Sequence, residues 1–584
     1  MTTLVFDIEA DGLVATKIWC IVAIDTSTGE SRSFGPDQLD EGLQYLQSAS
    51  KLVGHNIIGY DLPTINRLLG ADLSVGRKVV DTLVLSRLFN PVREGGHGLE
   101  SWGYRLKSPK IEHHEYDRFT PEMLKYCEQD VYLNYKLFNQ LKIESKDFSP
   151  DSVFLEHETY KIISQQRENG FLLDIKHATC LVAQLNDELT EAENEVHKTF
   201  TPKDNSIELE PLLTKTGKVS KMAKVVGQNK KVRLSDEEYE KACANPNAAF
   251  VRSDAIPFNL GSRKQIGEYL IEFGWKPKKH TPTGQPIVDE TTLSKIDNIP
   301  EAKIIAKYLM LQKRLAQINS WLKEVEDDDR VHGYVNANGT ITGRMTHSNP
   351  NMAQVPSTNS PYGHECRACW TVPEGYKLVG IDASGLELRM LAHYMNDEAF
   401  TYEILNGDVH TANQRAAGLE SRNQAKTFIY ALLYGAGDAK LGSVVGGNAA
   451  SGKQLRQRFF DNLPSFKTLK DRVGRASSKG WVKGLDGRKL FIRSEHSALN
   501  TLLQGAGAIV MKQAVVIFND KIKDLDARFS CNVHDEWQLE VEESIAEQVG
   551  QLGVEAIQEA GKVLKLRCEL DGEYKIGNNW AETH

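Results

Sequence analysis

Short continuous apolar runs alternate with long helical periods along this chain. TTLVF (2–6), IWCIVAID (18–25) and KLVGI (377–381) are brief and rich in branched residues, as buried strands are. LKYCEQDVYLNYKLF (124–138) instead spaces its apolar residues at three and four, the period of a helix. The same period runs through EHETYKIISQQRENGFLLD (156–174), LVAQLNDELTEAENEVHKTF (181–200), GSRKQIGEYLIEFGW (261–275) and EAKIIAKYLMLQKRLAQINSWLKEV (301–325). It lapses between residues 201 and 257. There the chain is polar, and Lys215–Arg233 holds seven cations and no acid. A loop-rich basic insert is expected, functional or disordered by its length. EVEDDDR (324–330) reads as an acidic turn closing the helical arm. Further on, LELRMLAHY (386–394) and SRNQAKTFIYALLYGAG (421–437) are helical, and FSCNVHDEWQLEVE (529–542) reads strand, tight turn, strand. The pattern predicts an α/β multidomain chain.

Length agrees, since 584 residues exceed what one core supports. The net charge of -9 argues against a purely electrostatic nucleic-acid coat protein, though a positive channel can be local. No run is expected to span a membrane. MTTLVFDIEADG places acids at once and reads as no secretory leader. Eight scattered cysteines fit a reducing cytoplasm. Cys366 and Cys369 form a CxxC beside His364, but no second ligand pair follows for zinc. VVGGN (444–448) reads as a turn.

Charge pattern then brings in chemistry. Asp7 and Glu9 lie two apart at the end of the first strand, so they share a face. Like charges placed together favour a cation between them. LVGHNIIGYD (52–61) adds Asp61, and Tyr126 and Asp130 lie four apart on one helix face. Singly each acid has an ordinary reading as a cap or a solvated charge. Together the four carboxylates suit two divalent metals of the hard kind, magnesium or manganese, for phosphodiester hydrolysis.

Arg422, Lys426, Tyr430 and Tyr434 recur every fourth residue after Ser421, a plausible N-cap. Cations near a helix start suit a triphosphate, and rings further along suit a base or sugar. An amphipathic surface helix fits the spacing equally well. Asp382 ends a strand, Glu387 sits one turn into the next helix, and Asp535 stands at a turn. In TGRMTHSNPNMAQVP (342–356), Arg344, Asn351 and Gln354 are donors within reach of phosphates or minor-groove acceptors.

Two resemblances follow. DxE, then NxxxYD, then YxxxD, with HGLESWGYRL (97–106) between, resembles the DnaQ-like 3′–5′ exonucleases. Asp382 with SGLELR, then RNQAKTFIYALLYG, then HDE resembles motifs A, B and C of the family A (Pol I-like) DNA polymerases. TGR (342–344), GLDGRKLFIRS (484–494), ALNTLLQGAGA (498–508) and the closing GNNWA are similar to the replicative polymerases of short-tailed bacteriophages.

The resemblance implies an RNase H-like exonuclease domain over 1–145, followed by a right-hand polymerase with helical thumb and fingers and an antiparallel palm sheet. The thumb would span 146–330 with its insert at 201–257. The palm would span 331–402 and 496–584, and the fingers 403–495. It implies primer extension with dNTPs on template DNA, proofreading, and two magnesium ions at each site. Asp7, Glu9, Asp61 and Asp130 would hold metals, with Tyr126 orienting water. Asp382, Asp535 and the Ala383 carbonyl would hold the others. Arg422, Lys426 and His410 would bind the triphosphate, and Tyr430 and Tyr434 would face sugar and template base. Glu387 would exclude a 2′-hydroxyl. Arg344, Gln354, Gln504 and His534 would contact the primer end and minor groove. Host thioredoxin at the insert, a helicase-primase and the cytoplasm of an infected bacterium complete the implied setting, and a 5′-nuclease segment is not expected. A single-subunit RNA polymerase and a nuclease with a DNA-binding C-terminal part are the competing readings.

Overall fold

In the computed structural model, which describes residues 2–584, the apolar run TTLVF extends into the strand Thr3–Ala10. Among the described residues its sheet has five strands, in the order Ser31–Phe34, Ile18–Asp25, Thr3–Ala10, Lys51–Gly54, Lys78–Asp81. Ile18–Asp25 runs antiparallel to the central strand, and the last two run parallel to it. Both faces are covered, which is why these strands read as continuous apolar runs. Leu4, Phe6 and Ile8 pack on one side with Ile65 and Tyr160. Val5 packs on the other with Cys127, Val131 and Leu137 of the helix Pro121–Glu144. That helix starts cleanly: the Thr120 hydroxyl accepts from Met123 N–H at 3.1 Å, and Pro121 fills the first turn.

A second sheet, antiparallel, has four strands among the described residues: Ala527–Val533, Glu536–Glu542, Tyr376–Ala383 and Gly572–Gly577, in that order. It unites strands from the two expected palm segments. The helices Ala498–Ile522 and Ala546–Val563 pack into its core with Trp537, Leu539 and Val541. One expectation is corrected here. The stretch Glu495–Ile522 is apolar and long enough to cross a membrane, yet 72% of its apolar window is buried inside the protein. Its hydrophobicity serves core packing.

The helix Pro150–Asn169 packs against both sheets. Tyr160 donates to Asn56 Oδ1 at 2.7 Å, and Asn532 donates to Gln166 Oε1 at 2.5 Å. Glu156 accepts from Lys512 at 2.6 Å and from Arg488. All three charged groups are at most 2% exposed. Accordingly this helix, expected within 146–330, folds with residues up to Ile175 and Lys323–His584 as one unit, and the separate unit is Lys176–Leu322.

Within that separate unit, the insert is also corrected. It holds the antiparallel strands Lys231–Arg233, Val219–Val225, Ile207–Leu213 and Phe250–Arg252, in that order. Leu209, Ala223, Val225, Leu234 and Ala242 form its small core. A capping box of Ser235 and Glu238 starts the helix Asp236–Ala244, and Arg252 pairs with Glu238 at 2.5 Å. All seven cations from Lys215 to Arg233 are exposed. The strands are short and lysine-rich, so their alternation read as polar loop.

Replacing Glu156 by Ala should cost about 3–5 kcal/mol of stability, because buried Lys512 loses its acid, while Arg488 keeps Asp486. Urea unfolding of purified protein measures it, and a loss under about 1 kcal/mol would show that Lys512 finds another partner.

Candidate functional site

Two carboxylate groups occupy the strand ends. In the first, Asp7 and Glu9 project toward the helix Pro121–Glu144, which brings Asp130 and Tyr126. Asp61 accepts from Ile8 N–H at 3.2 Å. Glu9, Asp61 and Asp130 are buried. The turn that delivers Asp61 is pinned by an acid the sequence reading did not single out. Asp81 is fully buried and accepts from the N–H groups of Asn56 at 2.9 Å, Ile58 at 3.1 Å and Leu83 at 2.9 Å. It thereby caps the helix Thr82–Phe89 and closes the turn together. The turn also requires Gly54, where a Cβ would fall 1.9 Å from Ile57 Cγ2.

Burial pushes all four acids up, and neighbouring carboxylates add to it at Asp7 and Glu9. Glu9 is pushed up to about 9 by burial, then by Asp7 and Asp130. Burial pushes Asp61 up to about 7. Asp7 is raised by burial and by Asp61 and Asp130. Lys110, also missed, answers part of this charge. Its ammonium lies 2.5 Å from Asp130 and donates to the Tyr126 hydroxyl at 2.9 Å. A cation is thus seated among hard oxygen donors, and the set fits divalent metals. Cys127 Sγ lies within 4.8 Å of the Asp7 and Glu9 oxygens. Burial pushes its thiol up, and it donates to the Asp7 carbonyl at 3.7 Å, so it offers no soft thiolate.

In the second group, Asp382 pairs in register with Glu536 across adjacent strands, and Ala383 N–H donates to the Asp535 carbonyl at 3.0 Å. His534 takes a left-handed backbone, φ 56°, in the turn that presents Asp535. Burial, then Asp535 and Glu536, push Asp382 up to about 7, and burial raises Asp535. Arg344, His534 and Asp535 line one small cavity with Gly343 and Lys512. Glu387 is the junction: it accepts from Arg344 at 3.0 Å and from the Tyr434 hydroxyl at 2.9 Å.

The helix Arg422–Leu433 starts at Ser421 as expected, in a capping box with Gln424. Arg422 and Lys426 are exposed. Tyr430 and Tyr434 stack with centroids 6.4 Å apart, and His410 lies 6.2 Å from Tyr430. Arg422 is held by Asp408 at 2.6 Å, a residue the spacing did not flag. Tyr434 is the residue after the helix, and its N–H still donates to the Tyr430 carbonyl at 2.9 Å. Burial and the neighbouring Glu387 push its phenol up to about 12. Asn351 and Gln354 are exposed, flanking and closing the short turn Met352–Gln354. Gln504 is half-buried on the helix Ala498–Ile522. Among the described residues no hydrogen bond joins Asn351 or Gln504 to Asp382 or Asp535. Cys366 and Cys369 are buried, and VVGGN forms the turn between two helices.

Three sequence motifs thus converge on one carboxylate pair, and the DNA polymerase family A model matches residues 229–582. The chain belongs to DNA polymerase family A. It is 34% identical to the DNA-directed DNA polymerases of Enterobacteria phage T3 and Escherichia phage T7, over the full length of each. It is 30% identical to DNA polymerase I of Pseudomonas aeruginosa, over 56% of this chain and 39% of that one. The fold is similar to the POL domain of Pol1 from M. smegmatis, solved in complex with DNA primer-template and dNTP. The TM-score is 0.78 at 19% identity, covering all of this chain and 96% of that one. This family A DNA-directed DNA polymerase is therefore related to the phage T3 and T7 polymerases, which sets aside the RNA polymerase and nuclease-only readings.

The raised Asp382 has a measurable consequence. Below about pH 4 both folded and unfolded chains hold its proton. Between there and about 7 only the folded chain does, so stability falls as pH rises through that window. In chelator, Asp382→Asn should lose less melting temperature than the parent between pH 4 and 8. Added magnesium should raise melting of the parent at pH 8 more than that of the variant. Parallel pH curves would refute the assignment.

Proposed function

We propose that this polymerase is a replicative enzyme of a bacteriophage, with primer extension at the Asp382–Asp535 pair and 3′–5′ proofreading at the Asp7–Glu9–Asp61–Asp130 group. The observation that carries the first site is Glu387, which joins Arg344 and Tyr434 beside Asp535. Asp382, Asp535 and the Ala383 carbonyl would hold two magnesium ions, as would the four N-terminal acids, with manganese able to substitute. Bound there, the ions would lower the pKa of the primer 3′-hydroxyl or of water and stabilise the leaving oxygen.

The chain's own groups do the rest. Arg422 exchanges Asp408 for the triphosphate, joined by Lys426 and His410 at the helix start, where anions are favoured. Tyr430 and Tyr434 bracket the incoming sugar and template base. Glu387, fixed by two donors, fills the place of a 2′-hydroxyl, and the clash rejects ribonucleotides strongly. Arg344, Asn351, Gln354, Gln504 and His534 face primer and minor groove. At the N-terminal site Lys110 releases Asp130 and Tyr126, and the freed phenol orients the attacking water. The first sheet is read as an RNase H-like exonuclease domain and the second as the palm, between thumb and fingers. The cell compartment would be the cytoplasm of an infected bacterium, with a helicase-primase as co-worker.

Asp382→Ala should lower primer extension by more than about 10²-fold and leave 3′-end degradation intact. Asp7→Ala with Glu9→Ala should do the reverse. Extension surviving Asp382→Ala on a labelled primer-template would overturn the assignment.

The folded insert, with its seven cations from Lys215 to Arg233 exposed, supports a processivity role, with host thioredoxin as its partner. Immobilised polymerase should retain thioredoxin, and thioredoxin should lengthen products per binding event. No retention and no lengthening would reject thioredoxin and leave the lysines acting on phosphates, with a contribution that falls steeply with salt.

A further inference from the structure

A cavity of about 730 Å³ opens beside the edge strand Lys78–Asp81, between the end of the helix Pro121–Glu144 and the start of the helix Pro150–Asn169. Its lining is strongly apolar: Val80, Leu85, Phe89, Phe138, Phe148 and Phe154. Phe154 is 61% exposed. Five cations also line it, Lys51, Arg77, Lys78, Lys142 and Lys161, against one acid, Glu158. Glu158 is taken by Lys161 at 2.8 Å. The chain as a whole carries -9, so this is a local reversal of charge.

The lysines crowd one another. Lys51 pairs in register with Lys78, and both line the cavity with Lys142; burial, then Lys78 and Lys142, push the Lys51 ammonium down. Lys142 lies 4.2 Å over the Phe138 ring. An apolar hollow and converging ammonium groups both leave the free protein with a cost: one exposes hydrocarbon, the other sets like charges together. A ligand that relieves both must be anionic and carry a bulky apolar group. Nucleic acid fits less well, because successive bases need successive open rings, and of this lining Phe154 is the one strongly exposed ring. Phe89 and Phe138 are at most 6% exposed, and Phe148 leans on Phe89 with centroids 4.8 Å apart.

We propose that this cavity docks an acidic peptide segment of a partner protein, with one large apolar side chain against Phe154 and Phe148 and its carboxylates on Lys51, Lys78 and Lys142. Buried apolar anchors inside a charged rim are the ordinary economy of such contacts. The site is clear of the catalytic acids. Lys51 pairs with Thr3 at the opposite end of the sheet from Asp7, four residues along the strand. At about 3.3 Å per residue that separation is roughly 13 Å.

The test uses the full-length protein and a fluorescein-labelled dodecapeptide of Asp and Glu with one central Trp, read by anisotropy. Binding should weaken about tenfold or more in Lys51→Glu/Lys78→Glu/Lys142→Glu, and also when Trp is replaced by Ser in the peptide. Phe154→Ala should weaken the Trp peptide and leave the Ser peptide unchanged. Unchanged primer extension by each variant shows that it is folded. Absence of binding to the parent, equal binding by the charge-reversed variant, or equal binding of Trp and Ser peptides would each overturn the proposal. So would a labelled oligo-dT that binds more tightly than the peptide and is lost in the same variants, since the surface would then serve nucleic acid.

Discussion

Repulsion between carboxylates held side by side, largely out of water, governs both sheets. Burial first, and the neighbouring acids second, push Glu9 up to about 9 and Asp382 up to about 7. A flexible scaffold would let the acids swing apart into solvent. Each is instead fixed by backbone. Asp7 and Glu9 ride the central strand, Asp61 rides a turn closed by Asp81, and Asp535 rides a turn tied to Ala383 N–H. Stored repulsion of this kind is what a bound cation relieves, so the electrostatic strain and the proposed chemistry are one feature.

The helix Pro150–Asn169 links the two places. It meets the N-terminal turn through Tyr160 and Asn56, and the C-terminal sheet through Gln166 and Asn532. Glu156, Arg488 and Lys512 lock it from within. A buried charge network is directional, and any slide of the helix would unpair a charge in a dry interior. That makes the helix a strut between the two carboxylate groups, and explains why it belongs with both sheets.

Several site residues carried a sequence signal, and others carried none. The four-residue rhythm of Arg422, Lys426, Tyr430 and Tyr434 marked a helix face, and Ser421 marked its start. Asp81 had a usable signal, a strand-end acid before the helical TLVLSRLF, but strand-end acids are common. Lys110 and Asp408 had none, because their importance comes from what stands opposite: Asp130 with Tyr126, and Arg422. The insert misled for a related reason. Two of its strands have only three residues, Pro211 interrupts a third and lysines dilute the fourth, and its core is only a handful of side chains. The apolar stretch up to Ile522 is longer than the sequence reading allowed, and its hydrophobicity answers neighbours that a sequence scan does not see.

By itself the sequence determined everything that depends on neighbours within about one helical turn or two strand residues. That covers element types, caps, which side chains share a face, and the motifs that mark DNA polymerase family A. Tertiary structure alone decided which faces meet. Glu387 between Arg344 and Tyr434, Lys110 on Asp130, and the lysine-rimmed cavity built from residues 51 to 161 all join groups far apart in the chain. The physical reason is range. Periodicity records the local geometry of a backbone, whereas a salt bridge, a pKa shift or a cavity records the packing of distant elements against one another.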